Sequence, residues 1–247
     1  MSDYIVNPKM KGSGLLGCIP QTADEPCPRQ CKDCFYQGHG RSYLEPFAEH
    51  LPNMPDRFML LNRVVRVNDG NDSHNNMPEV IGTTRYITAK FYNTSFAEEL
   101  DKYDAPVVLT VNPGKLTAAD FFRIDPIPSN LMMVRVRTNM WNLEIVDRAI
   151  EYYTRRDVPV ILTFMAYYEK QPQMSDEYYM YRKRTTNSYW AIKTVAWRTV
   201  MNIHQDNILV YSCGKIEGER GDTHCRFCGN CLREYFATME RIRGDDV

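Results

Sequence analysis

Residues 132–165 read MMVRVRTNMWNLEIVDRAIEYYTRRDVPVILTFM, and the fold turns on them. The stretch opens on an apolar, β-branched run at 132–136, the signature of a buried strand. Over 143–155 the period changes: Leu143, Val146, Ala149, Ile150 and Tyr153 recur at helical spacing and share one face. Asn142 stands where a helix N-cap belongs, and Asp157-Val158-Pro159 stops the helix before a second β-branched run at 160–165. Strand, helix and strand in this order describe a parallel crossover unit.

The same rhythm continues outward. Further strands are expected at 15–19, 64–67, 89–92, 107–111 and 208–211, with another helical stretch at 96–103 and a long, tyrosine-rich one from 176 to 204. Strands alternating with helices give an α/β fold with parallel pairing, as an open sheet or a barrel. Several strands end in small polar residues: Asn68-Asp69-Gly70, Asn93-Thr94-Ser95, Asn112-Pro113-Gly114 and Thr138-Asn139. Such residues terminate strands and turn the chain. They also lie where parallel α/β folds gather their ligands, at the carboxyl ends of the strands.

With 247 residues, 30 basic and 31 acidic side chains and a formal charge of -1, the chain offers no global electrostatic case for nucleic acid. No secretory signal pattern opens it and no apolar run reaches membrane-spanning length, so a soluble, cytoplasmic protein is expected. In a reducing compartment its eight cysteines point to metal or redox chemistry before disulfides. Seven form two groups, Cys27, Cys31 and Cys34 near the start and Cys213, Cys225, Cys228 and Cys231 near the end, while Cys18 stands alone. No cysteine lies between 35 and 212, so the body of the fold rests on apolar packing.

Cys27-Pro28-Arg29-Gln30-Cys31-Lys32-Asp33-Cys34 follows the first expected strand with gaps of three and then two residues. Three thiolates can hold three corners of a cubane cluster and leave the fourth iron open to a ligand that is not protein. The run resembles the cluster-binding signature of radical S-adenosylmethionine enzymes. That resemblance implies a partial (β/α)6 barrel over residues 1–205 and a 4Fe-4S cluster on Cys27, Cys31 and Cys34. It further implies S-adenosylmethionine chelated at the open iron, an electron donor such as flavodoxin or ferredoxin, and a 5'-deoxyadenosyl radical that abstracts hydrogen from a substrate the sequence does not name. Cofactor contacts are then expected from Asn68, Asp69 and Gly70 in the position of the family's glycine-rich motif, from Asn93 and Asn112, and from Arg137. The family often has an aromatic before the third cysteine. This chain has Asp33 there and places Phe35 and Tyr36 after it. Arg135 and Arg137 share one face of their strand, directed into a barrel or out toward helix carboxylates. A weaker likeness to the spore photoproduct lyase branch runs from Cys27 through Tyr36-Gln37. Cys18 is expected as a buried thiol at the end of the first strand, with a role as fourth ligand the alternative.

Cys213, Cys225, Cys228 and Cys231 suit a closed four-thiolate site in a small cysteine-rich extension, residues 206–247, with a second 4Fe-4S cluster expected and zinc the alternative. The polar, glycine-rich 214–222 would need such a metal to order it. The segment 178–197 interleaves Arg182, Lys183, Arg184 and Lys193 with tyrosines and tryptophans. That pattern can grip nucleic acid, but it also describes an amphipathic helix packing Tyr181, Tyr189, Ile192, Ala196 and Val200 against the barrel, and the helix is the expectation. A radical enzyme is thus the leading reading. A non-catalytic zinc or iron-sulfur protein that binds nucleic acid or a protein partner is the alternative, and a two-cluster electron carrier a third.

Overall fold

The computed structural model describes residues 4–22, 51–112, 123–183, 188–213 and 225–245. Seven strands form one parallel sheet: β1 (Leu15–Cys18), β2 (Val64–Val67), β3 (Lys90–Thr94), β4 (Val107–Val111), β5 (Leu131–Thr138), β6 (Val160–Phe164) and a late strand, Val210–Ser212, which pairs with β6. They lie side by side in chain order, curled into a half-barrel. All seven expected strands are present. Among the described residues no helix is long and apolar enough to cross a membrane.

Alternation along each strand divides the core in two. The outer face, with Val65, Val67, Leu109, Val134, Val136 and Leu162, packs against helices α1 (Met77–Thr83) and α2 (Leu143–Thr154) through residues such as Val80, Val146, Ala149 and Tyr153. α2 is the helix expected over 143–155, and the apolar face expected of it supplies its buried residues. Asn142 does not cap it through its side chain. Its Oδ1 instead accepts from Asn139 N at 2.8 Å and its Nδ2 donates to Arg137 O at 3.0 Å, bracing the turn that leaves β5.

The inner face carries a second cluster: Leu15, Val64, Phe91, Val108, Met133 and Ile161, one residue from each of β1 to β6. A register shift beside Val107 lets Met132 join them. This row is covered by the C-terminal helix, which the sequence had not revealed as a helix. A one-turn α4 (Cys225–Cys228) is followed at Gly229, φ 66°, by α5 (Asn230–Asp245), whose Cys231 and Tyr235 are buried against the row. The described residues of 206–247 therefore contribute both a strand of the sheet and the cover of its inner face. Arg241 anchors the far end by donating to Leu131 O at 2.9 Å.

Two helical expectations fail. Residues 96–103 hold only a single 3-10 turn, Leu100–Lys102. The long helix over 176–204 is instead an antiparallel hairpin, β7 (Tyr179–Arg182) and β8 (Tyr189–Ile192), followed by α3 (Thr194–Ile203), so that the late strand of the sheet becomes β9. Aromatic residues favour pleated strands, and cross-strand pairs Tyr179 with Ile192 and Tyr181 with Trp190 take the place of helical contacts. Of the five residues expected on one helical face, Ile192, Ala196 and Val200 are buried and Tyr181 is 46% exposed.

Candidate active site

Two residues beyond the apolar inner row, each strand presents its next inward position: Gly17, Arg66, Asn93, Thr110, Arg135 and Thr163, from β1 to β6 in turn. The inner wall thus changes from hydrocarbon to polar and cationic toward the carboxyl ends of the strands.

At β2 the wall is built around Asp69. Its carboxylate pairs with Arg66 and accepts from Asn7 Nδ2 at 2.5 Å, while its backbone N donates to Cys18 O at 3.1 Å. The side chain lies so close over β1 that a Cβ at Gly17 would stand 2.8 Å from the Asp69 Cβ. Glycine is required there by space. Asn68 sits just before, buried, in the left-handed conformation at φ 58°, and its Nδ2 donates to Ser73 Oγ at 3.1 Å. Its Oδ1 is buried and has no hydrogen-bond partner among the described residues. Gly70, half-buried, continues the turn. Asp72, in the same loop, is saturated: it accepts from Thr94 Oγ1 at 2.7 Å, from Ser95 N at 2.8 Å, from Ser95 Oγ at 2.7 Å and from His74 N at 3.0 Å. Both carboxylates of this loop are occupied, which leaves the Asn68 oxygen as the open acceptor.

Asn93 bridges the wall. Its Nδ2 donates to Val67 O at 3.0 Å and its Oδ1 accepts from Arg135 Nη1 at 3.4 Å. Arg135 and Arg137 therefore face inward, and the outward alternative is excluded, since Val134 and Val136 hold the helix-packed side. Arg137 is 8% exposed; the Arg135 Nε is buried without a partner among the described residues. Asn112 directly follows β4 and is half-buried.

Cys18 points away from this wall, into the outer core beside Val65 and Val67. Burial pushes its thiol up to about 12, so it is protonated at neutral pH. Cys27, Cys31, Cys34, Phe35 and Tyr36 lie outside the described residues.

The C-terminal cysteines converge on the same wall. Cys213 follows β9, with its N donating to Leu162 O at 2.9 Å, and Asn230 Nδ2 ties α5 to Ser212 O at 3.0 Å. Cys213, Cys225 and Cys231 pack into the inner cluster. A hydrogen bond from the Cys228 thiol, helped by the charges of Arg135, Arg66 and Lys9, outweighs burial and brings Cys213 down to about 5. Burial raises Cys225 and Cys231. Cys213 and Cys228 thus meet through a hydrogen bond, and the charges of Arg66 and Arg135 act on Cys213, Cys225 and Cys231. Among the described residues no group of three or more Cys, His, Asp or Glu side chains is arranged to hold a metal ion.

Sequence reading missed Arg66, Gly17, Asn7 and Lys9. Arg66 had a visible signal, a charge at an inward position of the otherwise apolar Val64–Val67; the others are marked only by contacts made in the fold. Comparison with protein-family models, with curated proteins and with solved structures finds no match to this chain.

Proposed function

We propose that this chain is a radical S-adenosylmethionine enzyme built on a partial barrel of the radical S-adenosylmethionine type. What supports the reading is a sequence pattern, the three-then-two run of Cys27, Cys31 and Cys34 that follows β1 in the chain, taken together with a curled parallel sheet whose inner wall is polar and cationic at its carboxyl ends. The donor set fits. Three thiolates suit a 4Fe-4S cluster, and the wall offers the two complementary groups that an amino acid moiety requires, a buried open acceptor at Asn68 Oδ1 and a buried open donor at Arg135 Nε. When bound and reduced by an electron donor, the cluster and S-adenosylmethionine would supply radical chemistry for hydrogen abstraction from the substrate.

The chain's own residues bind and orient. Asn68 Oδ1 would accept from the cofactor ammonium. Arg135, held in line by Asn93, would donate to its carboxylate, with Arg137 and Asn112 as further candidates on the same wall and Phe35 and Tyr36 as candidate contacts to the adenine. Asp69 neutralises Arg66 and fixes the loop that carries Asn68. α5 closes the amino-terminal end of the inner face with hydrocarbon, which excludes water from that side. Cys213, Cys225, Cys228 and Cys231 are the residues that would hold a second 4Fe-4S cluster, or zinc, although among the described residues they do not stand as a metal-holding group, and the cations of Arg135, Arg66 and Lys9 would offset the charge on Cys213.

Anaerobic reconstitution with iron and sulfide, then dithionite and S-adenosylmethionine, yields 5'-deoxyadenosine, and alanine at Cys27, Cys31 and Cys34 abolishes it. No 5'-deoxyadenosine from fully reconstituted protein overturns the reading. Elemental analysis separates the two metals at the second site: about eight irons per chain for two clusters, about four irons and one zinc otherwise.

A further inference from the structure

The connection from β6 to α3, residues 165–193, folds on its own small core of Tyr167, Met174, Tyr179 and Ile192, closed by Trp197 of α3. It is docked on the carboxyl rim of the sheet: Tyr167 Oη donates to Asn139 Oδ1 at 2.9 Å, and Met140 N donates to Tyr179 Oη at 3.1 Å, both just past β5. Pairing of β7 with β8 sends Tyr179 and Ile192 into that core. The next pair out on the same face is Tyr181 and Trp190, with ring centroids 5.4 Å apart and Tyr181 46% exposed. Lys170 Nζ stands 5.0 Å from the centre of the Trp190 ring.

The charge around this aromatic pair is mainly basic, although Glu169, Asp176 and Glu177 lie in the same connection. From 178 to 205 the sequence contains no Asp or Glu, while Arg182, Lys183, Arg184, Lys193 and Arg198 fall within it, in a chain whose formal charge is -1. Of the two acids that precede this run, Asp176 is engaged by Lys170 at 2.7 Å and Glu177 is exposed. Arg182 Nε is buried and has no partner among the described residues. An apolar partner would leave these cations uncompensated, and an acidic peptide would give the rings nothing to stack on. Alternating phosphates and π-faces satisfy both.

We infer that the β7–β8 hairpin binds single-stranded nucleic acid at the rim of the half-barrel, with a base stacked on Tyr181 and Trp190 and the backbone phosphates on Arg182 and Lys183. Binding there is independent of the chemistry proposed for Cys27, Cys31 and Cys34, so failure of either leaves the other standing.

The test is fluorescence anisotropy of the full-length, anaerobically purified chain with labelled single strands of DNA and of RNA, each about 16 nucleotides, the upper end of the footprint of one such module. Affinity falls with salt, and the double variant Arg182→Gln/Lys183→Gln loses about 1.4 from the slope of log K against log salt, about 0.7 for each phosphate contact. Tyr181→Ala weakens binding about fivefold or more at an unchanged urea midpoint, because one base loses its stacking platform. No anisotropy change at low salt overturns the inference. So does binding that neither variant alters, or equal displacement of the strand by polyglutamate. If Tyr181→Ala shifts the urea midpoint, the salt slope of the basic double variant decides alone.

Discussion

Arg66→Met isolates the ion pair on which the inner wall is organised. The paired side chains of Arg66 and Asp69 are 16% and 9% exposed, so the substitution leaves a carboxylate in a buried wall with Asn7 as its side-chain donor. Removing one member of a buried pair costs roughly 3–5 kcal/mol, and the residual access of Arg66 to water places this case at the lower end, about 3 kcal/mol. For a chain of this length that corresponds to a fall of about 6–12 °C in the unfolding midpoint. Asp69→Leu in the same background replaces the uncompensated charge by a near-isosteric hydrocarbon, and the double variant recovers to within about 1 kcal/mol of the parent. Urea unfolding of all four proteins, followed by far-ultraviolet circular dichroism, completes the cycle. A loss below about 1 kcal/mol for Arg66→Met, or a double variant whose loss equals the sum of the single losses, refutes the pair as the organiser of the wall.

Glycine positions give opposite expectations. Gly17→Ala drives a methyl to 2.8 Å from the Asp69 Cβ and destabilises by about 1–3 kcal/mol, whereas Gly82→Ala, in α1 with open space around it, stabilises by about 0.4–1 kcal/mol; equal urea midpoints would sink the spatial argument. In metal-free protein Cys213 titrates near 5, below the free thiol value of about 8.5. Its contribution is therefore complete above that value and is lost as pH falls through about 5. Absorbance near 240 nm should report one thiolate at pH 7 that Cys213→Ser removes, and its absence there contradicts the assignment. Cys18 has the opposite sign: raised to about 12, it favours the folded state below about 8.5 and ceases to do so as pH rises through 12, which alkaline unfolding of Cys18→Ala against the parent measures. Arg135→Met should weaken S-adenosylmethionine binding about tenfold or more, the worth of a charged hydrogen bond, and an unchanged dissociation constant by equilibrium dialysis removes Arg135 from the site.

Strand positions were legible because a parallel strand packed on both faces is mostly apolar, so Val107–Val111 and Val160–Phe164, each with a single threonine, stand out against their neighbours. α2 was legible for the same kind of reason, through a single apolar face of period 3.6. The hairpin was not. Tyr178 to Trp197 carries aromatics at spacings that suit helix and strand alike, and the choice was made by docking onto Asn139 and Met140, some forty residues away in the chain for Tyr179. α5 escaped notice because, of its buried apolar positions Cys231 and Tyr235, the first reads as part of a metal motif until the inner row of the sheet is there to receive them.

By itself the sequence determined the α/β class, the seven strands and the two cysteine groups, since each rests on local spacing and residue type. Tertiary structure alone decided the direction in which Arg66, Asn93 and Arg135 point, the requirement for glycine at 17, and the return of the C-terminal cysteines to the inner face of the sheet. The physical reason is that these properties belong to pairs of residues brought together by strand order and curl. A side chain's period can be read from one segment, but its partner, its burial and its charge environment exist only once the segments have met.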